Sequence, residues 1–529
     1  MHAFTFTMRP WRRGLIAPKS FSVTLKTVFR SCVLWIGLAA LPFHANAQDA
    51  LPRGVADALN RAGVPASSVS MVVAPLPPAP GAVAHEPARI LATGERNPVP
   101  APRTPTPPRL AWQADAQMNP ASVMKLVTTY AGLDLLGPSH FWKTRVFTQG
   151  YIQNGVLNGN LVIKGSGDPK LVRERMQDLM QAIREKGVRS VNGDILLDNS
   201  VFNLPAHDAS AFDEDPLRPY NAGPDGLLVN FKALIFNFIP DPARRRVRIE
   251  SEPPIAGVEI PSEVPAAQGP CGDWRERLSA RFDDPKRISF EGRYPLSCGE
   301  RSWSIAYVDP SSYAPRVIEA MWRASGGQLA GQVKMLGQPA TGQPLITGLS
   351  LPLVDIIADI NKFSNNVMAQ QLFLTLSANG NGRGSFPESR NILKHWWRDR
   401  FGMRTTPLIE NGSGLSRTER ITAASLTALL QRAAAGPESL AFEQSLSLAG
   451  VDGTTRSMAT RNPASEAIGN ARLKTGTLKD VAAIAGYATG QSGQRYSVVG
   501  MINHPNAPAA RAALDQLVEW TVRDVADER

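Results

Sequence analysis

At 529 residues, with 43% hydrophobic and 19% charged residues, the chain is globular in composition and too long for one ordinary core, which points to roughly two to four domains. Six of the basic residues behind its net charge of +11 (Arg9, Arg12, Arg13, Lys19, Lys26 and Arg30) crowd into the first 47 positions, which hold no acidic residue. Without that segment the excess falls to +5, too modest to call for a nucleic-acid partner. The densest basic run left, Arg244-Arg245-Arg246-Val247-Arg248, has no stacking aromatics between its charges and reads as a solvated strand edge.

Residues 1–47 read as an export leader, with a basic part, an apolar run from Val33 to Phe43, and Ala45-Asn46-Ala47 as a small-x-small cleavage site before Gln48. The apolar run is too short to span a bilayer comfortably. Arg12-Arg13 hints at a twin-arginine route, but the apolar core lies far downstream, which favours ordinary secretion into the periplasm. Cleavage removes Cys32 and leaves Cys271 and Cys298, an even pair expected to form one disulfide in an oxidising compartment.

Beyond the leader, Leu51 to Ala62 reads as a short amphipathic helix, and Val69 to Val73 and Ala88 to Ala92 as strands. Asn97 to Pro108 is too rich in proline for helix or central strand. Asn119-Pro120 then predicts a helix start, with a capping asparagine and proline in the first turn; apolar residues follow on almost every face as far as Gly137-Pro138. An Asn154-Gly155 turn between alternating runs predicts a hairpin over Phe141 to Lys164, followed by a helix over Lys170 to Lys186 and a strand at Ile195-Leu196-Leu197. Asn203 to Met335 is irregular and proline-rich, with the texture of a separate small domain or two. Further helices are expected at Pro352–Phe363, Val367–Leu376, Asn391–Arg400 and Ser425–Ala435. Two strands follow, Val481–Ala488 and Arg495–Asn503, and then a closing amphipathic helix, Pro508–Val525, with Leu514, Leu517, Val518, Thr521 and Val525 inward. The expected fold class is α+β, with residues 48–148 and 341–529 forming one domain and 149–340 inserted.

Three short patterns carry chemistry. In the helix after Asn119, Ser122 and Lys125 stand three residues apart on one face. A lysine buried there loses proton affinity and can serve as a base for the serine hydroxyl, although the pair alone could equally be a cap serine beside a snorkelling lysine. Ser364-Asn365-Asn366 places a hydroxyl and an amide at an interhelical corner. Lys474-Thr475-Gly476-Thr477, just before the Val481 strand, offers a cation, a hydroxyl and a glycine that permits close backbone approach.

In the order S-x-x-K, S-x-N, K-T-G, these are the motifs of the penicillin-recognising serine enzymes. The chain resembles the D-alanyl-D-alanine carboxypeptidases/endopeptidases of the penicillin-binding protein 4 type. Lys164 to Pro169, Gly193 to Asp198, Asn411 to Arg417 and Ala449 to Thr454 look like that family's landmarks, and the long gap between Ser122 and Ser364 matches its inserted domains. The resemblance implies a β-lactamase/transpeptidase-like domain carrying β-rich insertions, peptidoglycan stem peptides and β-lactams as ligands, and no cofactor or metal. It implies Ser122 as nucleophile, Lys125 as base, Ser364 as proton relay, Asn366 as holder of Lys125, and Lys474 and Thr475 as carboxylate binders. The oxyanion hole would come from the amides of Ser122 and Thr477. Asp198 and Arg417 match positions that approach the stem peptide. Asn365 stands where relatives often carry aspartate, and Gln370 where many carry glutamate.

Two rivals remain. A serine β-lactamase needs fast deacylation, but no Glu-x-x-Leu-Asn lies between Ser122 and Ser364. A noncatalytic wall-binding scaffold would not need Ser122, Lys125, Ser364, Asn366 and Lys474 intact. The sequence leaves open the balance of carboxypeptidase and endopeptidase action, the stem's third residue, the oligomeric state and any peripheral membrane contact of the C-terminal helix.

Overall fold

A computed structural model describes residues 50–77, 107–403 and 406–525. The leader, the strand expected at Ala88–Ala92 and the proline-rich run as far as residue 106 lie outside the described residues. The two ends of the described chain meet in one six-stranded antiparallel sheet. Its order is Ser447–Leu448, Ala471–Leu478, Val481–Thr489, Arg495–Asn503, Val69–Pro75 and Leu110–Trp112.

Strand alternation sends Ala482 and Ile484 to one face, against the terminal helices Arg53–Arg61 and Arg511–Val522. Ala483, Ala485 and Tyr487 go to the other face, against a helical core that includes Lys125–Leu136, Leu353–Phe363 and Ala423–Ala435. The sheet is therefore covered on both sides. Its edge is not fully paired, because Ser447–Leu448 matches only Leu473 and Arg472 and stops short of Lys474.

The middle of the chain builds a separate apolar cluster under two sheets. A seven-stranded mixed sheet holds the hairpin Lys143–Gln153 and Val156–Lys164, turned at Asn154 and Gly155, both with positive φ. A five-stranded sheet runs Tyr294–Pro295, Glu263–Ala267, Arg246–Glu252, Ala233–Asp241 and Arg301–Ala306. Helices Arg173–Glu185 and Pro310–Ala324 fill the space around them. Cys271 and Cys298 are bonded in this part. Lys143–Gln153 runs through the expected boundary at 148/149, and its antiparallel partner Ile346–Leu349 lies past residue 340.

Some expectations need correction. The fifteen-residue helix Pro310–Ala324 stands in a stretch read as irregular; Asp309 caps it by accepting from the amides of Ser311 and Ser312. Pro315 inside it hid the helical period. The closing helix ends at Val522, so Val525 lies beyond it and is exposed rather than inward. No described helix is long and apolar enough to cross a membrane.

Candidate active site

Asn119 does begin the Ser122 element, but not as the cap of one continuous α-helix. Its side chain accepts the amide of Ala121 at 2.9 Å, Ala121 takes a φ of +47°, and a 3₁₀ turn spans Ala121–Met124 before the α-helix Lys125–Leu136. In a 3₁₀ turn, residues three apart eclipse one another. That stacks Ser122 directly against Lys125, with Nζ 2.8 Å from Oγ.

The amine is fully buried. It donates to Asn366 Oδ1 at 2.6 Å and to the carbonyl of Ser413. Burial, reinforced by the charge of Lys474 and opposed by Glu419, holds its proton affinity well below that of an ordinary lysine.

Ser364 ends the helix Leu353–Phe363 in the left-handed region, at φ 57° and ψ 35°, and Asn366 opens the next helix. Between them Asn365 caps that helix by accepting the amide of Met368 at 3.0 Å. An asparagine there does the work an aspartate would do.

The K-T-G motif lies not ahead of a strand but within one, Ala471–Leu478. Lys474, fully buried, reaches Ser364 Oγ at 2.8 Å and the carbonyl of Thr475 at 2.7 Å, and burial brings its pKa down to about 7. A Cβ on Gly476 would sit 2.5 Å from the carbonyl oxygen of Pro120 and 3.1 Å from the amide of Ser122; the strand can press against the serine turn only with glycine there.

A cleft of about 350 Å³ opens over these groups, lined by Ser122, Ser364, Thr454, Thr475, Gly476 and Thr477 among others. Thr475 Oγ1 bonds Thr454 Oγ1 at 2.7 Å, which adds a second hydroxyl beside the first. A second hollow of about 670 Å³ shares Ser364 and runs on past Asn366 to Tyr220, Phe231, Phe363 and Arg173. The arrangement puts a nucleophile against a proton-poor amine, and a second hydroxyl against a second amine, across one opening. That is the equipment for acyl transfer through a serine ester.

With this geometry in place, relatedness decides the chemistry. The model of the D-Ala-D-Ala carboxypeptidase 3 (S13) family matches residues 109–524. The chain belongs to that family. It is a serine peptidase of the penicillin-binding class. Among curated relatives of this S13 chain, the D-alanyl-D-alanine carboxypeptidase DacB of Haemophilus influenzae is 28% identical over 404 residues, covering 72% of this chain and 80% of the relative. A D-alanyl-D-alanine carboxypeptidase of Actinomadura sp. is 28% identical over 420 residues, 76% of each chain. The crystal structure of penicillin binding protein 4 from Haemophilus influenzae shares the fold, with a TM-score of 0.68 and 24% identity over 90% of this chain and 98% of that one. The same protein complexed with a β-lactam gives a TM-score of 0.64 at 23% identity, over 90% and 99% of the two chains.

Not every sequence-derived site residue of this S13 chain reaches the cleft. Asp198 is fully buried; its carboxylate accepts the amides of Ser200 at 2.9 Å and Ala340 at 2.7 Å and pairs with Lys164 at 3.5 Å. It staples two loops and offers no surface to a ligand, which corrects its expected place among the substrate-binding residues. Arg417 is half-exposed, pairs with Asp480 at 3.2 Å and lies over the ring of Phe212 at 4.5 Å. Sequence reasoning missed Phe212, Thr454 and the Ser413 carbonyl. The glycines of Asn411-Gly412-Ser413-Gly414 were the one visible signal for the last.

Proposed function

We propose that Ser122 attacks the carbonyl of a terminal D-Ala-D-Ala bond in a peptidoglycan stem, with neutral Lys125 accepting the hydroxyl proton. The observation that carries this reading is the 2.8 Å approach of Ser122 Oγ to an amine whose proton affinity burial holds well below that of an ordinary lysine. Asn366 holds the amine and Ser364 returns a proton to the leaving nitrogen. Lys474 and Thr475 take the terminal carboxylate, and the amides of Ser122 and Thr477 receive the oxyanion. Arg417, with Phe212, lies where the upstream part of the stem would pass. Accessory structure enters with the strand Lys143–Gln153 and closes with Ile346–Leu349 in this reading, and the enzyme works in the periplasm after loss of its leader.

The terminal carboxylate belongs to the departing residue, so that residue leaves by the first cleft, beside Thr475. The second hollow, which shares Ser364, has the size and the aromatic lining to take a further length of stem peptide, which supports cleavage of cross-links alongside release of free D-Ala. Incubation with purified monomeric and cross-linked muropeptides is expected to give D-Ala from the first and monomers from the second, both blocked by prior penicillin. Rapid turnover of penicillin with the peptides untouched would instead make it a β-lactamase; no reaction with either would leave a scaffold.

The two amines set the pH dependence. Acylation by penicillin should rise with pH as Lys125 sheds its proton, then fall from about pH 7 upward as Lys474 loses its own in the free enzyme. Second-order labelling rates across the pH range check both limbs. A profile that is flat through pH 7 would remove Lys474 from carboxylate binding.

A further inference from the structure

Behind the catalytic lysine sits a carboxylate with no part in the steps above. Glu419 is fully buried; its Oε1 accepts the amides of Glu410 at 2.8 Å and Asn411 at 3.2 Å. Its Oε2 is buried with no hydrogen-bond partner among the described residues. Glutamine would make the same two backbone hydrogen bonds without a charge to desolvate, though with two amide hydrogens where Oε2 has no partner. A buried carboxylate facing Lys125 points to an electrostatic use.

The turn it holds is the seat of the site. Asn411 Oδ1 accepts both the amide and the hydroxyl of Ser413. The carbonyl of Gly412 accepts from Thr128 Oγ1 at 2.6 Å, and the carbonyl of Ser413 accepts from Lys125 Nζ. The charged groups facing Glu419 are Glu410 on its own loop and Lys125 on the helix; Lys125 is faced in turn by Lys474 from the sheet. A row of three buried titratable groups, Lys474, Lys125 and Glu419, therefore crosses the site from sheet to loop, with the base in the middle.

We infer that Glu419 is a positioning residue for the reaction: its carboxylate fixes the turn that seats the Lys125 amine and supplies the negative charge that offsets the Lys474 ammonium on the other side. The inference rests on Lys125 being the base. Burial pushes the Glu419 carboxyl up to about 7, against the pull of its two backbone amides, so its charge is present above neutrality and lost below it. While present, that charge raises the proton affinity of Lys125. The wild-type acid limb is thus a coupled loss of protons from both groups.

The test is the pH profile of acylation by a fluorescent penicillin for wild type, Glu419→Gln and Glu419→Asp. Glutamine keeps the acceptor and removes the charge, which is only partly present across the acid limb, so that limb is expected to move to lower pH by about half a unit and to report a single group. Aspartate keeps the charge on a shorter arm and should leave the limb near its wild-type position while slowing the reaction through a looser turn. A glutamine variant with an unmoved limb overturns the inference, whether or not its melting temperature falls. If the glutamine variant does not fold, a limb displaced in the aspartate variant overturns it equally. Failure of the underlying reading looks different: a Lys125→Met enzyme that still acylates at the wild-type rate removes the base itself, and the inference with it.

Discussion

Lys125→Met is expected to slow acylation of Ser122 by penicillin by about ten-thousand-fold while leaving the melting midpoint within a few degrees of wild type. Methionine matches the length of the lysine stem and fills the same buried slot at the start of the helix Lys125–Leu136. It has no lone pair basic enough to take the serine proton, so Ser122 Oγ keeps its place and loses its activation. Two effects on stability oppose each other. Removing an amine that sits fully buried relieves desolvation, while Asn366 Oδ1 and the Ser413 carbonyl lose a donor. Intact-mass measurement of the penicilloyl adduct over time gives the rate, and Ser122→Ala, which can form no adduct, gives the baseline. Retention of more than about a tenth of the rate would place the base elsewhere.

Gly414→Ala is expected to cost about 3 kcal/mol or more and to reduce acylation at least about a hundredfold. A Cβ there would lie 2.0 Å from the carbonyl oxygen of Ala121, 2.5 Å from its carbon and 2.9 Å from Ser122 Cα, at a φ of +77°. Every one of those atoms is backbone, so no side chain can swing aside, and the serine turn itself must move. Gly382→Ala separates the two causes. It has a similar φ of +83° in the left-handed helical region with open space around it, and should cost only about 1 kcal/mol with acylation preserved. Thermal melting and penicillin labelling of both variants decide the matter; equal behaviour would mean that backbone conformation, not the close approach, sets the requirement.

The residues brought together at the cleft were legible because each is chemically unusual where it stands. A lysine in an otherwise apolar helix and a lysine beside a glycine in a strand stand out in one dimension, whatever the chain does in between. The expected helices and strands at both ends of the chain that fall within the described residues hold for the same reason, since their apolar period is local. What the sequence hid depends on distant partners or on backbone atoms. The 3₁₀ start at Ala121 depends on a turn nearly 300 residues later, whose glycine packs against the Ala121 carbonyl. Asp198 looked like a ligand contact because nothing local reveals that the amide of Ala340 comes to meet it. The Ser413 carbonyl has no letter of its own, and nothing local marks Glu419, which stands between Arg417 and Arg420, as buried.

In the proposed reaction, the unpaired half of the strand Ala471–Leu478 would set the enzyme's selectivity. A stem peptide laid along it is read through its main-chain amides and carbonyls, as one more ribbon at the margin, so the identity of each side group matters less than the ability to stretch out flat. Ligands with a methylated or ring-locked nitrogen at the docking register would be refused whatever their other groups. A rigid, pre-extended mimic, by contrast, gains affinity without any new contact, because the ordering has been done in advance.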